Sequence, residues 1–321
     1  MRALGIDLGG SKLLGCLTDG AGAVLGRAVR ATGRATGPAE ACRLLSEVAA
    51  ELRASAGPFD VAGIGFPGQV DFEQGVAHGS VMLDGWREVR LAELAAKELG
   101  VPCVVDNDVN AAAVAELRVR TADAPDSMLF VAVGTGIGGA LAVHGRLWRG
   151  HTGVAGEIGN VTIDRHGPTC WCGRRGCLNM YASGAAIEAQ LGAGVSLAEH
   201  TRAGHPALGD VVRVAAELLG VGLANALNLL NPELVVLGGG VSELGGPWLA
   251  RVAASARREA FPEAGQCRFE LARAGYEAGA VGAALLAMDR FPSTTTDSRA
   301  ARAAATAPGD PRLSAAPRAA P

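Results

Sequence analysis

Leu4-Gly5-Ile6-Asp7-Leu8-Gly9-Gly10-Ser11 reads as a strand, a glycine turn and the start of a second strand. Phe130-Val131-Ala132-Val133-Gly134-Thr135-Gly136-Ile137-Gly138-Gly139 repeats that shape. Two similar halves, each with a glycine turn between its first strands, suggest duplicated domains facing one cleft. Around these hairpins strands alternate with helices. Apolar runs place strands at 3–7, 13–18, 61–65, 101–106, 128–133, 139–143 and 234–237. Helical spacing of apolar residues covers 88–99, 109–117, 211–230, 248–260 and 279–291. Asp210 is expected to cap the third of these helices, and Asn231-Pro232 to stop it. Such alternation means an α/β fold.

Composition narrows the class. The chain has 321 residues, 49% hydrophobic and 19% charged, with a net charge of −3. At about 100–200 residues per domain, two domains are expected, with apolar content enough for real cores. The near-neutral balance excludes a dedicated nucleic-acid binder, which needs a basic surface. No apolar run approaches the roughly 20 residues of a membrane span. Asp7 and the glycine pair stand where a signal peptide has its apolar stretch, so a cytoplasmic protein is expected. Residues 292–321, rich in Pro, Ala, Ser and Thr, are expected to be a disordered tail. The seven cysteines are an odd count, which argues against a disulfide framework. Three of them, Cys170, Cys172 and Cys177, have the spacing of structural-zinc ligands.

Glycine lets backbone N–H groups approach a phosphate without a Cβ in the way. Gly9, Gly10, Ser11 and Lys12 form such a loop after Asp7, and Lys12 is one of two lysines in an arginine-rich chain. Gly134, Thr135 and Gly136 form a second. Gly238-Gly239-Gly240 lies between a strand and a helix, where open α/β sheets bind ligands. Each alone is a weak signal; three at strand ends favour a nucleotide with its phosphates in a cleft. None matches the P-loop pattern. Asp106-Asn107-Asp108-Val109-Asn110 places two carboxylates and two amides between a strand and a helix. Capping needs one such residue. A carboxylate beside an amide there suits a general base acting on a sugar hydroxyl.

With these motifs go Gly63-Ile64-Gly65-Phe66-Pro67-Gly68, Gly156-Glu157-Ile158-Gly159 and Cys170-Trp171-Cys172-Gly173-Arg174-Arg175-Gly176-Cys177. In this order and spacing the set resembles the ROK family of sugar kinases, bacterial glucokinases above all, over about 1–290. The resemblance implies an actin-like ATPase (ribonuclease H-like) fold. It implies a small lobe of 1–117, to which a helix at 279–291 returns, and a large lobe of 118–278. It implies ATP with Mg²⁺ as donor. Asp7 would position Mg²⁺ and water; Gly9, Gly10, Ser11 and Lys12, and Gly134, Thr135 and Gly136, would hold phosphates; Gly239 and Gly240 would lie against adenosine. Asp108 would be the catalytic base for the primary hydroxyl of a hexose. Asn107, Asp108, Glu157 and Gly68 would hold the sugar. The family often forms homodimers.

Two positions depart from the family pattern. Asn160 stands where the family has a His that touches the sugar and ligates zinc. Asn179 stands where it has a Glu that reaches the sugar. The reacting end is kept and the anomeric end rewritten, which disfavours glucose there. Acceptors that suit such a pocket are an amino sugar such as kanosamine, whose amine would pair with Glu157, or a seven-carbon cyclitol. For zinc, the fourth ligand is missing at Asn160 and His166 is the nearest substitute. A non-catalytic sugar-sensing member of the family is the other class. Those carry a helix-turn-helix ahead of the phosphate loop, whereas Asp7 already lies in the first expected strand.

Overall fold

A computed structural model describes residues 1–192 and 194–292. The segment expected as a tail, 292–321, lies outside them apart from Pro292. In chain order the elements are β1 (Ala3–Leu8), β2 (Lys12–Thr18), β3 (Val24–Ala31), α1 (Pro38–Ala56), β4 (Val61–Phe66), β5 (Gln69–Asp71), β6 (Val76–Gly79), β7 (Arg87–Val89), α2 (Leu91–Leu99), β8 (Cys103–Asn107) and α3 (Asp108–Val119). They continue as β9 (Ser127–Val133), β10 (Ile137–Val143), β11 (Arg146–Trp148), α4 (Asn179–Ala182), α5 (Gly184–Leu191), α6 (Leu197–Ala203), α7 (Leu208–Leu230), β12 (Leu234–Gly238), α8 (Gly246–Glu259), β13 (Arg268–Leu271) and α9 (Ala278–Arg290).

The two glycine-turn hairpins each found a five-stranded sheet, in orders β3-β2-β1-β4-β8 and β11-β10-β9-β12-β13. The topologies are the same. β1 runs antiparallel to β2 and parallel to β4; β9 runs antiparallel to β10 and parallel to β12. β5, β6 and β7 form a separate small sheet.

Strands buried on both faces need helices on both sides. α1 covers the first sheet with Leu44, Leu45, Val48 and Leu52, at helical spacing. α9 covers its other face, although it comes from the far end of the chain. A Cβ at Gly5 would come within 1.8 Å of Ala280 O, and one at Gly63 within 1.9 Å of Ala283 O, so those glycines let the helix lie directly on β1 and β4. On the second sheet α7 buries Leu219, Leu223 and Leu227. No helix among the described residues is long and apolar enough to cross a membrane.

One buried ionic cluster ties the halves together. Glu116 on α3 and Arg120 just beyond it both have fully buried side chains and pair at 2.7 Å. Glu116 also accepts from the backbone of Arg273 and Ala274, each at 2.9 Å, in the link to α9. Arg120 reaches Glu270 on β13 at 2.6 Å. The carboxylate's remaining lone pairs are thus met, the condition for a buried charge to be tolerated.

Two expectations need correction. The helix expected over 88–99 begins at Leu91, because Arg87–Val89 pair with β6. Asp210 does not cap α7: the cap is Ala207, and Asp210 sits in the first turn, where its charge suits the helix dipole. Asn231, at φ +42°, ends the helix where expected.

Candidate active site

The four polar residues where β8 runs into α3 divide the labour. Asp106 is buried; its Oδ1 accepts from Asn107 N at 2.8 Å and Asn110 Nδ2 at 2.9 Å. Its Oδ2 accepts from Arg149 Nε at 2.9 Å and Nη2 at 2.6 Å. Asn107 is the helix cap: its Oδ1 accepts from Val109 N at 2.9 Å and Asn110 N at 3.1 Å. Its Nδ2 donates to Gly68 O at 3.1 Å, so two residues named for the sugar meet here. With pairing given to Asp106 and capping to Asn107, the Asp108 carboxylate at the head of α3 is left for chemistry. Burial first, then the Asp7 carboxylate, pushes its pKa up to about 7, against the pull of the Val109 N–H.

Asp7 comes from the end of β1. Burial raises its pKa and the Lys12 ammonium opposes the rise. A Cβ at Gly279 would sit 2.8 Å from the Asp7 carboxylate, so the start of α9 closes over it. The first glycine turn is fastened at its base: Gly9 N donates to Lys12 O at 2.8 Å, and Thr32 Oγ1 to Gly9 O at 2.7 Å. Lys12 Nζ lies 3.6 Å from the centroid of the Tyr276 ring. Asp7 adds to the charge cost of Asp108, and carboxylate oxygens such as theirs are the hard donors Mg²⁺ takes.

In the second half, Gly134 N donates to Gly136 O at 2.8 Å, closing the turn. Gly134, Thr135 and Gly240 open onto a cavity of about 490 Å³ walled by Leu197, Val241 and Leu244, with Arg202 on its lining. That is the size and make-up of a small-molecule pocket. Gly239, at φ +81°, has no room for a Cβ, which would meet Val133 N at 2.7 Å.

The remaining named residues form a chain of hydrogen bonds. Asn160 Nδ2 donates to Glu157 Oε2 at 2.8 Å, and Asn179 Nδ2 to Asn160 Oδ1 at 3.3 Å. Asn179 Oδ1 accepts from Ile137 N at 2.7 Å. Asn179 is 3% exposed, so its side chain is spent on Asn160 and Ile137. Glu157 is exposed and Asn160 half-buried.

The ligand sulfurs of Cys170, Cys172 and Cys177 lie within 4.8 Å of one another. Zn–S bonds of about 2.3 Å place tetrahedral sulfurs about 3.8 Å apart, so the three fit a zinc ion. His166 stands outside this cluster, exposed, its backbone N–H held by Asp164 Oδ1 at 2.9 Å. Asn160 is turned to Glu157 instead. Against the effect of burial, hydrogen bonds from Arg174 bring Cys172 down to about 7, while burial and neighbouring thiols push Cys177 up to about 12.

Arg149, Tyr276 and the cavity walls Leu197, Val241 and Leu244 escaped the sequence reading. Arg149, Tyr276 and Leu197 lie far along the chain from the motifs they serve, while Val241 and Leu244 follow the third glycine loop directly. Helical spacing around 197–203 was the one signal available.

Two sheets of one topology, each opened by a glycine turn, define a phosphotransferase of the actin-like ATPase fold. The model of the ROK family matches residues 3–290, and the chain belongs to that family. It is 33% identical to the glucokinase of Halalkalibacterium halodurans over 68% of this chain and 73% of that one. It is 32% identical to the N-acetylmannosamine kinase of Yersinia pestis over 89% of this chain and 98% of that one. Among solved structures, the ROK family glucokinase from Streptomyces griseus, in complex with glucose and AMPPNP, is 30% identical with a TM-score of 0.77, over 90% of this chain and 100% of that one.

Proposed function

We propose that this cleft transfers the γ-phosphoryl group of ATP to the primary hydroxyl of a hexose-like acceptor, with Asp108 as general base. The chain is an ATP-dependent carbohydrate kinase. One observation carries the assignment of the base: of the two carboxylates after β8, Asp106 is locked to Arg149, whereas Asp108 has no cationic partner among the described residues and titrates near 7. A base with that pKa is ionised for much of the time at neutral pH and still accepts a proton readily.

The acceptor hydroxyl approaches Asp108, and Asn107, Gly68, Glu157 and Asn160 hold the rest of the sugar. The glycine turns at 9–12 and 134–136 bring the phosphates into line, so positioning supplies much of the rate. Mg²⁺, held by Asp7 with phosphate and water, would neutralise charge on the transferring group. The apolar cavity beside Gly240 supports a nucleoside donor over a bare polyphosphate. A small lobe of 1–117 completed by α9, and a large lobe of 118–278, would close on the two substrates. Each contains its own five-stranded sheet, which supports that division. Cys170, Cys172 and Cys177 would hold a structural zinc.

The rewritten end bears on the acceptor. Asn160 and Asn179 form a neutral amide pair, leaving Glu157 as the one charge in that hydrogen-bonded chain. Neutral hydrogen bonds are about half as strong as charge-assisted ones. An amino hexose such as kanosamine, whose ammonium would meet Glu157, suits this arrangement better than glucose. A seven-carbon cyclitol is the second reading, favoured by the same loss of charged groups at the anomeric end. Parallel kcat/KM values for glucose, N-acetylmannosamine, kanosamine and a seven-carbon cyclitol test it. Turnover of none of them with ATP would overturn the kinase reading.

A further inference from the structure

The segment 170–184 grips the second glycine turn. Gly184 N donates to Gly134 O at 2.7 Å. Ile137 N donates to Asn179 Oδ1, also at 2.7 Å. The indole of Trp171 approaches the same turn: a Cβ built on Gly136 would come within 3.7 Å of Trp171 Cζ2. The brace is itself fastened, because Ser183 Oγ donates to Asn179 O at 2.7 Å.

The same turn lines the cavity through Gly134 and Thr135, beside Gly184 at the end of the bracing segment. The turn is therefore shared between a ligand pocket and the cysteine loop. Trp171 sits between two cluster cysteines and is 46% exposed, so core filling does not account for it. A glycine-rich turn has many accessible conformations, and its N–H groups cradle a phosphate only when the turn is held in one of them. Holding a first contact by its supporting residues is the general requirement for an organised site.

We infer that Trp171 is a positioning residue for the phosphate donor. The thiol cluster fixes the loop, the loop fixes Trp171, and Trp171 with Asn179 fixes the turn 134–137 on which the β- and γ-phosphates rest. This rests on the nucleotide half of the reading above. It assigns the cysteine loop to the donor side of the cleft.

The test is calorimetric titration of the full chain with AMPPNP and Mg²⁺, and separately with AMP, for wild type, Trp171→Ala and Trp171→Phe. In Trp171→Ala the Kd for AMPPNP rises about tenfold, while the Kd for AMP stays within about twofold of wild type. Trp171→Phe, which keeps an aromatic edge against Gly136, recovers most of the loss. In turnover, the KM for ATP rises while the KM for the sugar is unchanged. AMPPNP binding unchanged in Trp171→Ala overturns the inference alone. So does an equal loss of AMP and AMPPNP, which would make the effect one of general folding. A wild-type chain that binds neither nucleotide overturns the inference together with the donor assignment beneath it.

Discussion

The two ends of the proposed acceptor site are built on opposite electrical plans. At one end burial holds the Asp7 and Asp108 carboxyls above the usual range, and the Asp7 charge raises Asp108 further. At the other, Asn160 and Asn179 pass hydrogen bonds from Glu157 to Ile137 without adding a charge. The first arrangement costs stability and yields a group able to take a proton at neutral pH. The second is satisfied within itself and offers a ligand one carboxylate and one amide. On the proposed function the difference teaches that reactivity and selectivity are separable here: the strained end would do the chemistry, and the relaxed end would choose what is presented to it.

The comparison breaks most plainly at Asp108. Asp108→Asn is expected to lower kcat about a thousandfold, within the range of a lost general base, with sugar affinity little altered. The same substitution reports the cost of the charge. A carboxyl with a raised folded pKa gives stability at low pH that is lost as pH rises through about 7. Asp108→Asn is therefore expected to melt higher than wild type in alkaline buffer and to lose that advantage in acid, as calorimetry across pH will show.

A pH profile comes next in size. Asp108 must be ionised to act, so kcat/KM is expected to fall as pH drops below about 7, by about tenfold per unit at the limit. A flat profile down to the ordinary carboxylate range would remove the electrical contrast between the ends. Smaller still is the conversion Asn160→His with Asn179→Glu. It is expected to raise kcat/KM for glucose about tenfold, by returning charged partners to the relaxed end. The smallest effect is at the cysteines. Purified protein is expected to carry zinc and Cys172→Ser to lose it, with kcat/KM falling about threefold, an effect below 1 kcal/mol; metal analysis beside kinetics checks both.

The duplicated hairpins, the strand-to-helix carboxylates and the cysteine spacing were legible because each depends on neighbours in sequence. Of the sheet partners, β2 beside β1 and β10 beside β9 follow from the same hairpins, whereas the parallel partners β4 and β12 come from far along the chain. The fastening of the site was not legible. Arg149 pairs with Asp106 across 43 residues, and Glu116 grips Arg273 and Ala274 across 157 and 158. No local propensity marks such pairs. Asp108 reads locally as a cap candidate; only the observed bonds of Asn107 show that the neighbour caps. His166 is close to Cys170 in sequence, yet chain proximity did not bring its ring into the thiol cluster, because the intervening turn is committed to Asp164. Asn160 and Asn179 were visible as departures, but their hydrogen bond to each other needed the fold.

The most direct test of the separation between the two ends is the ratio of kcat/KM for glucose to that for kanosamine and for a seven-carbon cyclitol, with ATP and Mg²⁺, in the wild-type chain. The account predicts that at least one of the two analogues exceeds glucose by about tenfold or more. A clear preference for glucose would contradict it, leaving Asp108 as the base but the amide end without a part in choosing the acceptor.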